Sequence, residues 1–281
     1  MPRYAQLVMG PAGAGKSTYV NTVEQHYATL RRKVHCINMD PAAEHFKYPV
    51  QCDIRELISV DDVMEDNELR FGPNGGLVFC MEYLIQNTHW LEECLGEVDD
   101  DYFIIDCPGQ IEIYTHLDIM GRFVATLEQW DIRVCAVYLL DSQFLVEPSK
   151  FIAGMCSALS AMVQLHLPHV NVLSKIDLLS TKDRDSLERW LDPNEDTMTD
   201  FLHRTTNKKH ANLSRALARL LDDYSLVHFV PLNIEDEDSI GDLCLQIDML
   251  LQIGEDAEPR EPRDHDDRRD GDDAESGFDE S

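Results

Sequence analysis

A glycine-rich segment near the start of the chain has the residue types needed to bind phosphate. It reads Gly10-Pro-Ala-Gly13-Ala-Gly15-Lys16-Ser17-Thr18 and fits the pattern G-x-x-x-x-G-K-[ST]. Glycines let successive backbone N–H groups turn toward phosphate oxygens, and a following helix adds its N-terminal dipole. Lys16 is suited to bridge the β- and γ-phosphates, and the Ser17 hydroxyl is suited to bind Mg²⁺. The alternative is a glycine-rich turn that matches by chance. The residues expected to bind nucleotide here are Gly13, Ala14, Gly15, Lys16, Ser17 and Thr18.

A second segment, Asp106-Cys-Pro-Gly109-Gln110, follows an apolar run at 102–105. An apolar strand that ends in Asp delivers a carboxylate to the end of a sheet, and Asp106 is therefore a candidate metal ligand together with Ser17. Gly109 lets a backbone amide approach a γ-phosphate, and Gln110 is suited to orient an attacking water. The alternatives are a turn or helix cap for Asp106 and a plain solvent-exposed side chain for Gln110.

Asp40 closes another apolar run, in the segment Asn38-Met-Asp40-Pro41. Ligands of open α/β folds bind at the carboxyl ends of the strands, which is where this position predicts Asp40 to lie. Asp40 is then a candidate to hold a metal-bound water or to accept a proton from the nucleophile. The alternative is that it only caps the turn at Pro41.

The segment Ser174-Lys175-Ile176-Asp177 ends a further apolar run and resembles the [NT]-K-x-D pattern of GTPases. An Asp in this place accepts hydrogen bonds from guanine N1–H and the exocyclic amine, and the Lys stem packs on the ring. Adenine has no matching donors, and the unmatched polar groups would reject it. Ser174 replaces the usual Asn or Thr, which leaves its own contact open.

These residues need strands and helices to bring them together. Alternating apolar runs and helical patterns predict an α/β fold with three layers, a mostly parallel sheet and right-handed crossovers. A weak capping box, Ser239-x-x-Asp242, marks the start of the last helix. The predicted strands are 4–9, 33–39, 101–106, 133–141, 170–175 and 226–232, and the predicted helices include 17–32, 77–95, 148–166 and 238–253.

Length and charge indicate how the chain is divided. Among the 281 residues, 24 Lys and Arg stand against 53 Asp and Glu, and the formal net charge is −29. Residues 255–281 hold 13 acidic and 4 basic residues with one aromatic, a composition typical of disorder. We expect one P-loop domain over 1–254, with insertions at 53–76 and 183–224, followed by a disordered acidic tail over 255–281.

The same composition disfavours several classes of protein. A net charge of −29 argues against direct binding of nucleic acid and against adhesion to anionic membranes. No apolar run approaches the roughly 18 residues of a spanning helix, and no signal peptide is expected. The eight cysteines form no C-x-x-C pair, so we expect buried, reduced thiols of a cytosolic or nuclear protein.

The segment Phe71-Gly72-Pro73-Asn74-Gly75-Gly76 links these observations. Alone, Gly-Pro-Asn reads as a surface turn. In the order found here, with the phosphate loop, NMDPA, DCPGQ and SKID, it resembles the GPN-loop GTPase family from residue 4 to about residue 250. Within that family the chain is most similar to the third eukaryotic paralogue.

This resemblance implies a SIMIBI-type GTPase fold with bound GTP or GDP and Mg²⁺. It also implies a dimer, either with itself or with the first paralogue, in which Asn74 of the Gly72-Pro73-Asn74 motif reaches the partner's phosphates. The implied role is assembly and nuclear import of RNA polymerase II through contact with its subunits. The implied location is the cytoplasm, with shuttling to the nucleus as a further option.

Three functions remain open from the sequence. The first is a Mg²⁺-dependent GTPase that acts as a dimeric switch. The second is a nucleotide-gated assembly scaffold with negligible hydrolysis of its own, since Ser174 is unusual and no arginine finger is evident. The third is a kinase of nucleotides or nucleic-acid ends, which the S-K-x-D strand and the lack of a basic groove disfavour.

Overall fold

The computed structural model describes residues 3–66, 68–96, 101–180, 211–223 and 227–254. Within these ranges seven strands form one sheet in which every neighbouring pair is parallel. The strands are β1 (Arg3–Met9), β2 (His35–Asn38), β3 (Val50–Asp53), β4 (Tyr102–Asp106), β5 (Ile132–Asp141), β6 (His169–Ser174) and β7 (Phe229–Pro231), in the spatial order β3-β2-β4-β1-β5-β6-β7.

Helices cover both faces of this sheet. They are α1 (Lys16–Thr29), α2 (Val60–Glu65), α3 (Pro73–Gln86), α4 (Thr88–Leu95), α5 (Glu112–Thr115), α6 (Ile119–Gln129), α7 (Pro148–Leu165), α8 (Ala211–Asp223) and α9 (Glu237–Leu250). Side chains alternate along β1, with Leu7 in one apolar cluster and Val8 in the other. Helices α1 and α9 pack on the Val8 side, and α2 to α8 contribute to the opposite side. The predicted three-layer α/β architecture is confirmed.

The register of the parallel strands brings their carboxyl ends to one edge. Asn38 at the end of β2 pairs with Asp106 at the end of β4, and Val8 of β1 pairs with the same Asp106. On the other side of β1, Asp141 at the end of β5 pairs with Ser174 at the end of β6. Parallel strands in register therefore place the predicted site residues along a single edge of the sheet.

Several predicted boundaries are wrong. Strand β3 is not among the predicted strands, and it lies at the edge of the sheet beside β2. The segment Gly72-Pro73-Asn74, which alone would be a surface turn, forms the N-cap and the start of α3, because Pro at the first helical position favours a helix start there. The predicted helix 77–95 is broken at Asn87, which ends α3 and precedes α4. Asp236, not Ser239, caps α9.

Some predictions fall on parts of the chain that are not described. The acidic tail 255–281, most of the 183–224 insertion and the first residue of the predicted strand 226–232 lie outside the described residues. Residues 211–223 of that insertion form α8. The division of the chain into a domain and a tail stays a prediction.

All eight cysteines are free thiols, and six of them are buried. No helix in the described ranges combines the length and the apolar character needed to cross a bilayer.

Candidate functional site

The phosphate loop joins β1 to α1 in a conformation that only glycine adopts easily. Gly10, Gly13 and Gly15 have φ values of 138°, 79° and 93°, and Gly15 is the N-cap of α1. A Cβ at Gly10 would collide with the backbone carbonyl oxygen of Leu139 in β5. The loop thus lies directly against the sheet. It lines a cavity of about 460 Å³ at the N-terminus of α1, where the first helical amides have no partner within the helix.

Lys16 is buried in the wall of this cavity, and its Nζ donates to the Gly10 carbonyl oxygen at 3.3 Å. Burial lowers the pKa of Lys16, while the nearby carboxylates of Asp106 and Asp40 act in the opposite direction. For the carboxyl groups burial acts in the other direction and raises the pKa of both Asp106 and Asp40. The positive charge of Lys16 opposes that rise. One buried cation therefore stands among two carboxyl groups at the point where phosphates are expected.

Ser17 and Asp106 form the predicted metal-binding pair. The Ser17 hydroxyl donates to Asp106 Oδ2 at 2.7 Å, and the Tyr48 hydroxyl donates to the same oxygen at 2.9 Å. Among the described residues no cluster of three or more His, Cys, Asp or Glu side chains is arranged to hold a metal ion. A hydroxyl and a carboxylate are hard oxygen ligands, and Mg²⁺ commonly takes only one or two protein ligands alongside phosphate and water. The residues present therefore fit Mg²⁺ bound together with a nucleotide.

Asp40 closes the turn that the sequence offered as an alternative, and it also lies at the cavity. Its Oδ1 accepts from the backbone N–H of Ala42 at 3.0 Å, which closes a tight turn after β2. Its own N–H donates to Asn38 Oδ1 at 3.0 Å. The same Asp40 lines the cavity of about 460 Å³ at the phosphate loop (the phosphate cavity), as do Gly109 and Lys16. The turn therefore fixes the direction of a carboxylate that faces the cavity.

A second cavity of about 190 Å³ adjoins the first, because Gly15, Thr18 and Lys175 line both. Its other walls include Asp177 and, from the segment after β7, Leu232. A small, mostly apolar cleft with one carboxylate at its wall has the chemistry needed to hold a purine base.

Ser174 and Lys175 connect this cleft to the phosphate loop. The buried Ser174 hydroxyl lies 2.6 Å from the Ala14 carbonyl oxygen and 3.2 Å from the Leu140 carbonyl oxygen. Lys175 has a left-handed backbone with φ 60°, and its Nζ donates to the Gly13 carbonyl oxygen at 2.6 Å. Ile176 is also buried. Ser174 and Lys175 therefore hold the phosphate loop through hydrogen bonds to two of its backbone carbonyl oxygens.

Asn74 and Gln110 lie together, outside the lining of the phosphate cavity. Gly72 is the N-cap of α3, Pro73 is its first residue, and Asn74 follows as an exposed residue. Gln110 Nε2 donates to Asn74 Oδ1 at 2.8 Å. Both residues line a third cavity of about 490 Å³, whose apolar wall includes Phe79.

Three residues at the site are not singled out by the sequence analysis. Tyr48 donates to Asp106, and Arg55 donates to the Ala43 carbonyl oxygen at 2.9 Å, next to the turn of Asp40. Asp141 accepts from Lys175 Nζ at 2.7 Å. Of these three, Asp141 alone could have been identified from the sequence, because it ends an apolar strand as Asp106 does.

Several known proteins are similar to this chain over nearly its whole length. The profile of a family described as "Conserved hypothetical ATP binding protein" matches residues 8–253. GPN-loop GTPase 3 of Danio rerio is 56% identical over 267 residues, covering 95% of this chain and 94% of that protein. GPN-loop GTPase 3 of Xenopus tropicalis is 55% identical over 266 residues, covering 94% of this chain and 93% of that protein. The Dictyostelium discoideum protein of the same name is 50% identical over 263 residues, covering 93% and 92%.

The fold is also similar to a solved structure. A GTPase in its apo form from Pyrococcus abyssi superposes with a TM-score of 0.72, over 86% of this chain and 95% of that chain, at 23% identity. This likeness confirms the predicted P-loop NTPase fold. Because relatives named GPN-loop GTPase 3 are 50–56% identical over nearly the whole chain, the chain belongs to the GPN-loop GTPase family.

Proposed function

We propose that this chain binds GTP together with Mg²⁺ and hydrolyses it to GDP and phosphate. The observation that carries the proposal is the meeting of the phosphate loop, the Ser17–Asp106 pair, Asp40 and Lys175 around two adjoining cavities. Relatives at up to 56% identity are named GTPases, which supports the same reaction here. The kinase alternative has less support, because a net charge of −29 disfavours binding of a nucleic-acid acceptor.

Each residue has a role that follows from its position. Lys16 balances the charge of the β- and γ-phosphates, and the negative charge of the nucleotide would oppose the effect of burial on its pKa. Ser17 and Asp106 would hold Mg²⁺, which when bound neutralises charge on the phosphates. Asp40, fixed by its turn, would orient the attacking water and accept its proton. Gly109 lines the cavity where the γ-phosphate is expected, and its backbone amide can donate there.

The base is proposed to be guanine. The family profile is described as ATP-binding, whereas Asp177 at the base cleft offers acceptors that suit the N1–H and amine of guanine. Calorimetric titration with GTP, GDP and ATP tests this assignment. We expect GTP and GDP to bind and ATP to bind at least a hundredfold more weakly. Equal binding of ATP, or GTP binding unchanged in Asp177→Ala, would overturn the base assignment.

We further propose that the chain acts as a dimer, with itself or with a paralogous GPN-loop GTPase. Asn74 stands exposed in the first turn of α3, where the helix dipole favours anions, and a partner's phosphates are anions of the required kind. Sedimentation of the full chain, with and without GTP, tests self-association. A monomer that fails to pair with either a second copy or a paralogue would contradict the proposal.

The proposed biological role is assembly and nuclear import of RNA polymerase II, in the cytoplasm and with passage to the nucleus. Support for it is the near full-length similarity to relatives named GPN-loop GTPase 3. Affinity purification of the chain and of its Lys16→Ala variant, followed by mass spectrometry, tests this role. Polymerase subunits should be recovered in a manner that depends on Lys16, and their absence from both samples would contradict it.

One observation favours a second candidate, a nucleotide-gated scaffold with negligible hydrolysis of its own. The side chain of Gln110 donates to Asn74 and does not line the phosphate cavity, so it is not placed to orient water there. Single-turnover hydrolysis by the chain alone and with its partner separates the candidates. Turnover that stays absent with the partner bound supports the scaffold. Turnover that the partner induces, and that Gln110→Leu reduces, supports the GTPase.

A further inference from the structure

The carboxylate of Asp106 has a hydrogen-bond donor that belongs to none of the family motifs. Tyr48 is buried, with 4% of its surface exposed, and its hydroxyl donates to Asp106 Oδ2 at 2.9 Å. The Ser17 hydroxyl donates to that same oxygen at 2.7 Å. One oxygen of the metal-side carboxylate is thus held by two hydroxyl groups that come from different parts of the chain.

The position of Tyr48 is fixed by a set of contacts that centre on Arg55. The Arg55 guanidinium forms an ion pair with Asp53, at 2.6 Å from Nη2 to Oδ2, and donates to the Ala43 carbonyl oxygen at 2.9 Å. It also lies over the ring of Phe46, 4.7 Å from the centroid, and that ring is 5.3 Å from the ring of Tyr48. Arg55 therefore holds the segment between β2 and β3 through a backbone carbonyl and through the ring of Phe46. The path of this segment in turn fixes the position of the Tyr48 hydroxyl.

This arrangement restricts the orientation of the carboxylate. The terminal torsion of an Asp side chain is broad, so the direction of its oxygens depends on their hydrogen-bond partners. Groups that orient a metal ligand in this way typically affect metal affinity 10–100-fold when they are removed. Tyr48 also belongs to the segment that supplies Asp40 and Ala43 to the phosphate cavity. The Tyr48–Asp106 hydrogen bond therefore links this segment to the Asp106 carboxylate.

We propose that Tyr48 is a positioning residue for Mg²⁺, whose hydroxyl holds the Asp106 carboxylate in the orientation that the metal and nucleotide require. The assignment rests on the proposed nucleotide function. It predicts that Tyr48 affects the Mg²⁺-dependent part of nucleotide binding and leaves the metal-independent part unchanged.

The test is calorimetric titration of the full chain with GDP, first in EDTA and then over a series of Mg²⁺ concentrations. Tyr48→Phe keeps the ring and removes only the hydroxyl. Its GDP affinity in EDTA should stay within about twofold of wild type, because the phosphate loop and base cleft are untouched. The Mg²⁺ concentration that gives half of the metal-dependent gain in affinity should rise about tenfold.

Tyr138→Phe is the matched control. Tyr138 is also buried, and its hydroxyl contacts Ser157 at 2.8 Å, in the layer that β5 forms with α7. This variant should show the Mg²⁺ dependence of the wild type, and thermal melts of both variants without nucleotide report their folding.

Three results have distinct meanings. An unchanged Mg²⁺ dependence in Tyr48→Phe would overturn the assignment. Equal weakening of GDP binding in EDTA and in Mg²⁺ would also overturn it, since that pattern marks a purely structural role. A wild-type chain that binds no GDP would instead overturn the nucleotide function on which the assignment rests.

Discussion

The hydroxyl of Ser174 bridges the phosphate loop and the central sheet. It contacts the carbonyl oxygens of Ala14 and Leu140, and 4% of the residue is exposed. A hydroxyl has one proton to donate, so both contacts draw on the same donor. Ser174 therefore positions the loop, and under the proposed function base selection at this end of β6 is expected to depend on Asp177.

Replacing Ser174 by Ala should therefore weaken nucleotide binding without altering base preference. Loss of the buried hydrogen bond should lower the free energy of unfolding by about 1–2 kcal/mol. We expect affinity for GTP and GDP to fall together, with the ratio of GTP to ATP affinity unchanged in calorimetry. Ser157→Ala is the control, since it removes a hydroxyl that contacts Tyr138 and should leave nucleotide affinity unaltered. A selective loss of guanine preference in Ser174→Ala would show that its hydroxyl contacts the base.

His169, at the start of β6, should make the protein sensitive to acid. Burial lowers the pKa of His169 to about 4 in the folded protein, against about 6.5 in the unfolded chain. The unfolded state therefore binds more protons between these values. The stability contribution is complete above pH 6.5 and is lost as the pH falls toward 4. At pH 5 the loss from this residue should be about 2 kcal/mol.

Urea unfolding at pH 7.5 and pH 5 measures this effect. His169→Phe and His169→Gln, which cannot take up the proton, should each lose about 2 kcal/mol less than wild type between the two pH values. An equal loss in all three proteins would contradict the assignment of acid sensitivity to His169.

At the scale of elements, α1 is attached to α9 by a partly buried polar cluster. Arg32, just after α1, pairs with Asp248 of α9 at 2.7 Å, and each side chain is about a quarter exposed. Its guanidinium lies over the rings of Tyr27 and Tyr102, at 4.7 and 4.2 Å from their centroids. The Tyr27 hydroxyl also donates to Asp248 at 3.2 Å. The helix that follows the phosphate loop is thereby anchored to the last described helix.

Arg32→Ala should consequently lower the free energy of unfolding by about 2–3 kcal/mol, since it removes ring stacking and a partly buried ion pair together. Arg32→Lys keeps the charge but loses the planar group, and its free energy of unfolding should lie between those of Arg32→Ala and wild type. Lys150→Ala removes an exposed ion pair with Glu147 and should leave stability essentially unchanged. Chemical denaturation of the three variants checks this order. Equal effects of Arg32→Ala and Lys150→Ala would contradict it.

The elements that could be predicted from sequence are those with a local signal. Apolar runs that end in Asp106 or Ser174 mark strands and their carboxyl ends, and parallel strands bring such ends to one edge. Strand β3 has only four residues and depends on pairing with β2, so its own pattern is weak. Tyr48 reaches Asp106 through a loop whose path depends on Arg55. Contacts of this kind follow from packing between distant segments, and no spacing in the sequence indicates them.

At the scale of the whole molecule, a chain with a net charge of −29 is proposed to bind a highly negative nucleotide. The attraction must then be local, from Lys16, from the amides at the start of α1 and from Mg²⁺. Distant charges matter less, because the screening length is about 8 Å at physiological ionic strength. Asp40 and Asp106 are carboxylates that line the phosphate cavity, and the proposed function gives a role to each of them.

Removal of residues 255–281 should accordingly have little effect on nucleotide binding at physiological salt. The segment holds 13 acidic and 4 basic residues, and its field should be screened at about 0.15 M salt. At about 0.01 M the screening length grows to about 30 Å, and the truncated chain should then bind GDP more tightly than the full chain. Calorimetry of both chains at the two salt concentrations measures the effect. A loss of affinity beyond about tenfold at physiological salt would mean that the acidic segment contributes to the nucleotide site.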